Sequence, residues 1–259
     1  MPDTACQNQR LVKLLVLQHI ACEHPGSLGR LLKSDGISWD TVELDEGDKI
    51  PLLEDYDMLW VMGGPMDVWD VDRHPWLIEE KRAIRRFVRD LDRPFLGFCL
   101  GHQLLADALG GTCGPQRPPE IGVLEVTLTD DGLADPLFGG MPHTLRALQW
   151  HGVRVAEPPE GAIVLAGSTV CRCQAMRVGR WAYSMQYHVE VEPETVANWA
   201  AIPDYQRALD AALGPGAAPR LEADADRAMP QFAASSERLY RNFMGIARGH
   251  PRLVAGVRP

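Results

Sequence analysis

The chain is short of the features that mark nucleic-acid-binding, membrane and secreted proteins. Its 259 residues carry 26 Lys and Arg against 35 Asp and Glu, a formal charge of −9. Such a surface repels phosphate unless the basic residues gather in one place. The densest basic run, Lys81-Arg82-Ala83-Ile84-Arg85-Arg86 with Arg89, follows Glu79 and Glu80 on a stretch of helical periodicity and reads as a solvated face. No apolar run approaches the ~20 residues of a membrane helix. The polar N-terminus lacks the basic segment and apolar core of a secretory leader, so none is expected. Six cysteines, at 6, 22, 99, 113, 171 and 173, are too sparse and uneven for a disulfide scaffold, and a reducing cytoplasm is the expected setting. Cys171 and Cys173 stand one residue apart with no histidine near them, so neither a metal nor a cofactor is expected. Internal repeats and low-complexity tracts are also missing.

What is present is alternation. Short apolar runs at 11–17, 39–44, 58–62 and 95–98 alternate with amphipathic stretches, the pattern of a parallel sheet with helices on both faces. One helix is expected from Ser27 and another over 76–91, where Leu77, Ile78, Ile84, Phe87, Val88 and Leu91 fall on roughly helical spacing. A third ends at Gly110-Gly111. Beyond Pro118-Pro119 the texture changes to strands at 122–128, 144–148, 162–166, 175–178 and 181–185, a mixed or antiparallel half packed beside the first sheet. From Pro193 the chain turns helical. The Ala, Pro and Gly of 208–219 suggest a linker or mobile surface loop before an alanine-rich amphipathic helix over 221–247. The expected division is an α/β domain at 1–195 and a helical extension at 196–259 packed on the same domain.

The run Phe95-Leu96-Gly97-Phe98-Cys99-Leu100-Gly101-His102-Gln103 reads as a nucleophile elbow. A sharp strand-to-helix turn needs small residues at both flanks, and it lifts the central thiol clear of the sheet. At a helix N-terminus, free N–H groups and the helix dipole favour a thiolate, and the amide of the following residue, Leu100, can face a developing oxyanion. A buried structural cysteine is the alternative, but it gives Gly97 and Gly101 no purpose. The base such a thiol needs is offered by His188, at the end of the run 181–188, with Glu190 spaced to reach one ring nitrogen while the other faces the thiol. Taken without the elbow, this pair would be a solvated strand end. A second oxyanion donor is available from the strand exit Gly63-Gly64-Pro65-Met66, itself a common structural turn.

These segments, Gly63-Gly64-Pro65-Met66, Gly97-Phe98-Cys99-Leu100-Gly101-His102-Gln103 and Gln186-Tyr187-His188-Val189-Glu190, resemble the class I (triad-type) glutamine amidotransferases in order and spacing. Weaker similarity spans residues 11 to about 195 and is strongest to stand-alone members similar to the amidotransferase part of GMP synthase. The resemblance implies a flavodoxin-like α/β fold with a mixed, mainly parallel central sheet flanked by helices, here with a helical C-terminal extension. It implies a glutaminase with Cys99 as nucleophile, His188 as base and Glu190 orienting it. The amides of Gly64 and Leu100 would hold the oxyanion, and Gln103, Gly63, His151 and Tyr187 would bind substrate. His102 is expected to be structural, and His151 to sit on a loop lining the pocket. Tyr187 and Val189 stand where the family usually has Phe and Pro, so the loop after the base is expected to be less rigid and Glu190 less firmly aimed.

Amidotransferases of this kind feed ammonia to a synthase, and neither a phosphate-binding loop nor a Ser-Gly-Gly-x-Asp-Ser run of the pyrophosphatase type is present. Three uses stay open: a glutaminase chain with a separate synthase partner accepting ammonia, a stand-alone γ-glutamyl peptidase, or a binding or regulatory protein that keeps the pocket. Neither nucleic acid nor membrane is an expected partner.

Overall fold

The computed structural model describes residues 12–254. Leu11 of the first expected strand, Cys6 and the extreme N-terminal segment lie outside that range. Nine strands, β1 (Leu14–Gln18), β2 (Trp39–Glu43), β3 (Met58–Val61), β4 (Phe95–Phe98), β5 (Thr112–Leu128), β6 (Thr144–Glu157), β7 (Ala162–Gly167), β8 (Ala175–Val178) and β9 (Ala182–Met185), form one sheet in the order β2-β1-β3-β4-β9-β8-β7-β5-β6. Neighbours from β2 to β9 pair in parallel, and those from β9 onward pair antiparallel. The expected second half therefore continues the first sheet. β9 returns from it to pair with β4 and brings the chain leading to His188 beside the elbow.

Alternating side chains divide the core. Leu14, Val16, Met58, Trp60 and Leu96 face one layer, which holds Leu28 and Leu32 of α1 (Gly26–Ser34). Leu15, Leu17, Leu59, Val61 and Phe95 face the other, which holds Leu77 and Ile84 of α2 (Trp76–Arg85) and Leu104 and Leu105 of α3 (Leu100–Ala108). Burial on both faces is why these strands are continuous apolar runs. The segment expected as one helix over 76–91 ends in a wider turn, with the Leu91 N–H reaching Arg86 O. Ile78 points outward and is 41% exposed, away from the apolar stripe.

Two expectations fail at prolines and glycines. Pro118-Pro119 does not open a new half: β5 passes through it, and the β5–β6 register shifts between Pro115 and Glu120, where the ladder needs no N–H from proline. β6 likewise runs on past Leu148 to Glu157. After the short α4 (Asp130–Ala134), the remaining helices are α5 (Thr195–Ala200), α6 (Pro203–Leu213), α7 (Ala218–Arg248) and α8 (Pro251–Val254). Residues 208–213 are thus ordered helix rather than linker, because Leu209 is buried with Trp150 and Trp199. The first half of α7 joins that same cluster through Leu221, Ala225 and Phe232, while Leu239, Phe243 and Met244 complete the α1 side of the sheet core. Among the described residues, no helix is long and apolar enough to cross a membrane, and no group of three His, Cys, Asp or Glu residues could hold a metal ion.

Candidate active site

Cys99 stands between β4 and α3 with φ 48° and ψ −101°, a backbone conformation that side chains rarely adopt. The turn is held on all sides. Cys99 N–H donates to Met185 O at 2.9 Å, Gly101 N–H to Met62 O at 3.1 Å, and His102 and Gln103 N–H to Cys99 O. A Cβ on Gly97 would come within 2.7 Å of Gly101 O, and one on Gly101 within 2.2 Å of Val61 O, so both glycines are required by close backbone approach.

His188 follows β9 and exchanges two backbone hydrogen bonds with Leu148 of β6. Its Nδ1 lies 2.5 Å from Glu190 Oε1, and both side chains are buried. The other carboxylate oxygen accepts the Val189 N–H at 2.9 Å. This overturns the expectation of a poorly aimed acid: the amide proton that valine restores in place of proline is what grips Glu190. Nε2 of His188 is buried and, among the described residues, no nitrogen or oxygen atom is its hydrogen-bond partner. Burial opposes the imidazolium most, but the Glu190 carboxylate and the Cys99 sulfur together outweigh it and hold His188 well above the usual imidazole range. Gln186 Nε2 donates to the same sulfur at 3.6 Å.

Cys99 opens on a cavity of about 320 Å³ lined by Gly64, Met66, Leu100, Gln103, Trp150 and His151, with Tyr205 and Ala208 of α6 on its far wall. This is at the small end of small-molecule sites. A larger hollow of about 820 Å³, lined by Leu44, Leu52, Trp76 and Arg86 among others, contains none of the reactive groups, and chemistry belongs to the smaller one. Among the described residues, no acceptor takes the amide protons of Gly64 or Leu100. Both residues border the cavity, and a Cβ on Gly64 would lie 3.0 Å from Leu100 Cδ2.

Gln103 is buried, donates to Val153 O and Gln186 Oε1, and presents part of its side chain to the cavity. His151 also lines it, from within β6 rather than from a loop, held by Glu120 Oε2 at 3.2 Å and Val153 O at 2.8 Å. Gly63 and Tyr187 do not line it. Gly63 packs on Glu23, whose Oε2 would be 2.5 Å from an added Cβ, and Tyr187 is fully buried in the sheet core. His102 is enclosed between Ser184 Oγ and Cys173 O, and burial lowers it to about 3, so it is a neutral structural group.

Sequence reasoning missed four residues around this site. Trp199 of α5 packs edge-on against the His188 ring at 4.6 Å, and Tyr205 of α6 donates to the buried carboxylate of Glu23. His19 and Glu23 follow β1 at the carboxyl ends of the parallel strands, where open α/β sheets place their sites, and that topological rule was the one available signal.

The glutamine amidotransferase class-I family profile matches residues 26–198. A glutamine-hydrolyzing GMP synthase subunit from Sulfurisphaera tokodaii is 33% identical over 147 residues, 55% of this chain and 72% of that protein. Two crystal structures superpose over nearly the whole chain. A glutamine amidotransferase from Thermotoga maritima has a TM-score of 0.80 at 26% identity, covering 90% of this chain and 98% of that one. A glutamine amidotransferase from Methylobacillus flagellatus has 0.81 at 25% identity, covering 93% and 98%. With a family match across most of its length, the same sheet, and a cysteine at the elbow, the chain belongs to the class-I glutamine amidotransferases.

Proposed function

We propose that the protein hydrolyses the side-chain amide of glutamine through a thioester on Cys99. One observation carries this most strongly: His188 is clamped to Glu190 through Nδ1, and its ring is biased toward protonation first by the Glu190 carboxylate and then by the Cys99 sulfur. The Cys99 thiolate attacks the γ-carbonyl carbon, and the displaced π electrons collect on an oxygen held by the Gly64 and Leu100 amides. His188 delivers its Nε2 proton to the amide nitrogen as the C–N bond breaks, and ammonia leaves. Neutral His188 then takes a proton from water, whose oxygen attacks the thioester and expels the thiolate with glutamate as product. Gln103 and His151 bind the amino-acid portion. Here 1–195 is the amidotransferase unit and 196–259 an extension of the same domain, supplying a cavity wall.

Similarity to a glutamine-hydrolyzing GMP synthase subunit supports a separate partner chain that accepts the ammonia, in a cytoplasmic setting consistent with the cysteine usage. A second reading, hydrolysis of γ-glutamyl peptides, is favoured by the cavity's continuation to the exposed Trp69, which leaves room for a larger leaving group. Incubation with glutamine and with γ-glutamyl dipeptides, beside Cys99→Ala, decides between them. Glutamate from glutamine in the wild type alone supports the glutaminase, preferential dipeptide cleavage supports the peptidase, and release from neither substrate rejects both.

A further inference from the structure

We infer that a second buried imidazole–carboxylate pair, His19 with Glu80, positions and polarises the Gly63–Gly64 peptide that presents the oxyanion-binding amide. The inference rests on the proposed role of the Gly64 N–H.

His19 follows β1 and is 1% exposed, and Glu80 of α2 is fully buried. Nδ1 of His19 donates to Gly63 O at 2.7 Å, and Nε2 lies 2.9 Å from Glu80 Oε1. A backbone carbonyl can only accept, so Nδ1 carries a proton, and a second proton lies between Nε2 and the carboxylate. The ring is fixed from the side by Trp76, stacked at 5.5 Å and 18°. Among the described residues, the charged groups that act on it are acids: Glu80 from α2, Glu23 from the segment after β1, and Glu43 from β2. Burial disfavours the charged ring most, but these carboxylates and the Gly63 carbonyl prevail, and His19 is raised above the ordinary imidazole range.

Gly63 O and Gly64 N–H belong to one peptide unit, which is trans, the Arg117–Pro118 bond being the cis one among the described residues. In a trans peptide the C=O and N–H point in opposite directions. The hydrogen bond that draws Gly63 O toward His19 therefore turns the Gly64 N–H the other way, and Gly64 borders the cavity beside Cys99 and Leu100. Close packing leaves little slack, since a Cβ on Gly64 would lie 2.9 Å from His19 Cβ. A cationic donor on the carbonyl draws electron density from the peptide and makes its N–H a stronger donor, the cooperative effect of hydrogen-bond chains. His19 is thus a positioning residue acting through a peptide bond. Its benefit is greatest when negative charge develops on the substrate oxygen, so it falls on kcat rather than KM.

The test combines histidine NMR on the full chain with glutamine kinetics across pH. In ¹⁵N-histidine spectra, assigned by the resonance lost in His19→Asn, both His19 nitrogens carry protons at pH 7. Glu80→Gln keeps the volume but removes the charge that retains the second proton. It gives a neutral ring at pH 7, a kcat lower by about tenfold with KM little changed, and an alkaline limb moved to lower pH. The sign follows from a raised value: the cation is present below it and lost as pH rises through it. His19→Asn retains a neutral donor near the Nδ1 position and loses less than His19→Gln, whose amide reaches toward Glu80 instead. A neutral His19 in the wild type at pH 7, or an active wild type matched by Glu80→Gln and His19→Asn at every pH, overturns the inference. A wild type that releases no glutamate, indistinguishable from Cys99→Ala, overturns the glutaminase reading and this role with it.

Discussion

The carboxylate of Glu190 is held at two points, His188 Nδ1 and the Val189 N–H, and the two can be separated by substitution. Glu190→Gln keeps the shape but can turn an N–H toward His188, favouring the wrong tautomer. We expect kcat for glutamine to fall by on the order of 10²–10⁴ with KM within a few-fold, measured by steady-state glutamate release. Val189→Pro removes the backbone donor to a charged group in a dry site and also replaces a fully buried side chain, so it should cost at least the ~1.5–3 kcal/mol of the hydrogen bond in urea denaturation. At this scale much was legible. Cys99 and its glycines are recognisable because the turn's steric demand admits few residue types. The Val189 contact was not, because a backbone N–H carries no side-chain signature. Tyr187 lies off the cavity for a related reason: adjacency to a reactive residue does not say which way a side chain points.

Among the elements, α5 and α6 matter most to the site, and their apolar faces explain why. Trp199 and Tyr205 pack on Trp150 of β6, and from there Trp199 reaches His188 while Tyr205 reaches Glu23. Trp199→Ala should destabilise by about 3–5 kcal/mol in urea unfolding, the range for deleting a large buried aromatic, and free the His188 ring to rotate. Tyr205→Phe is milder. It leaves the Glu23 carboxyl, whose pKa is already raised by burial, without its hydroxyl partner, at a cost of about 1–3 kcal/mol, while the ring that lines the cavity is kept. The strands were legible as apolar runs, but the ends of β5 and β6 were not. Prolines and glycine look like breaks in one dimension, while a register shift in a paired ladder absorbs them.

For the whole molecule, the sheet couples stability to acid through His102, buried between α3, β9 and the segment before β8. Its folded value, lowered by desolvation to about 3, is below that of the unfolded chain. The stability it contributes is complete above about pH 6.5 and is lost as pH falls toward 3, at roughly 1–1.5 kcal/mol per pH unit for one proton. Urea midpoints measured from pH 7 to pH 4 should therefore decline, with a shallower slope in His102→Gln.

From residue types and their order alone came the α/β class, the elbow cysteine, the imidazole and its acid, because steric and proton-transfer chemistry restrict which residues can occupy such positions. Folding decided what distance in sequence conceals. It joined two halves into one sheet by returning β9 beside β4, brought helices after residue 195 against the cavity, and set His19 behind the peptide of Gly64. Each of these depends on burial shared between segments far apart in the chain, a quantity that no local pattern contains.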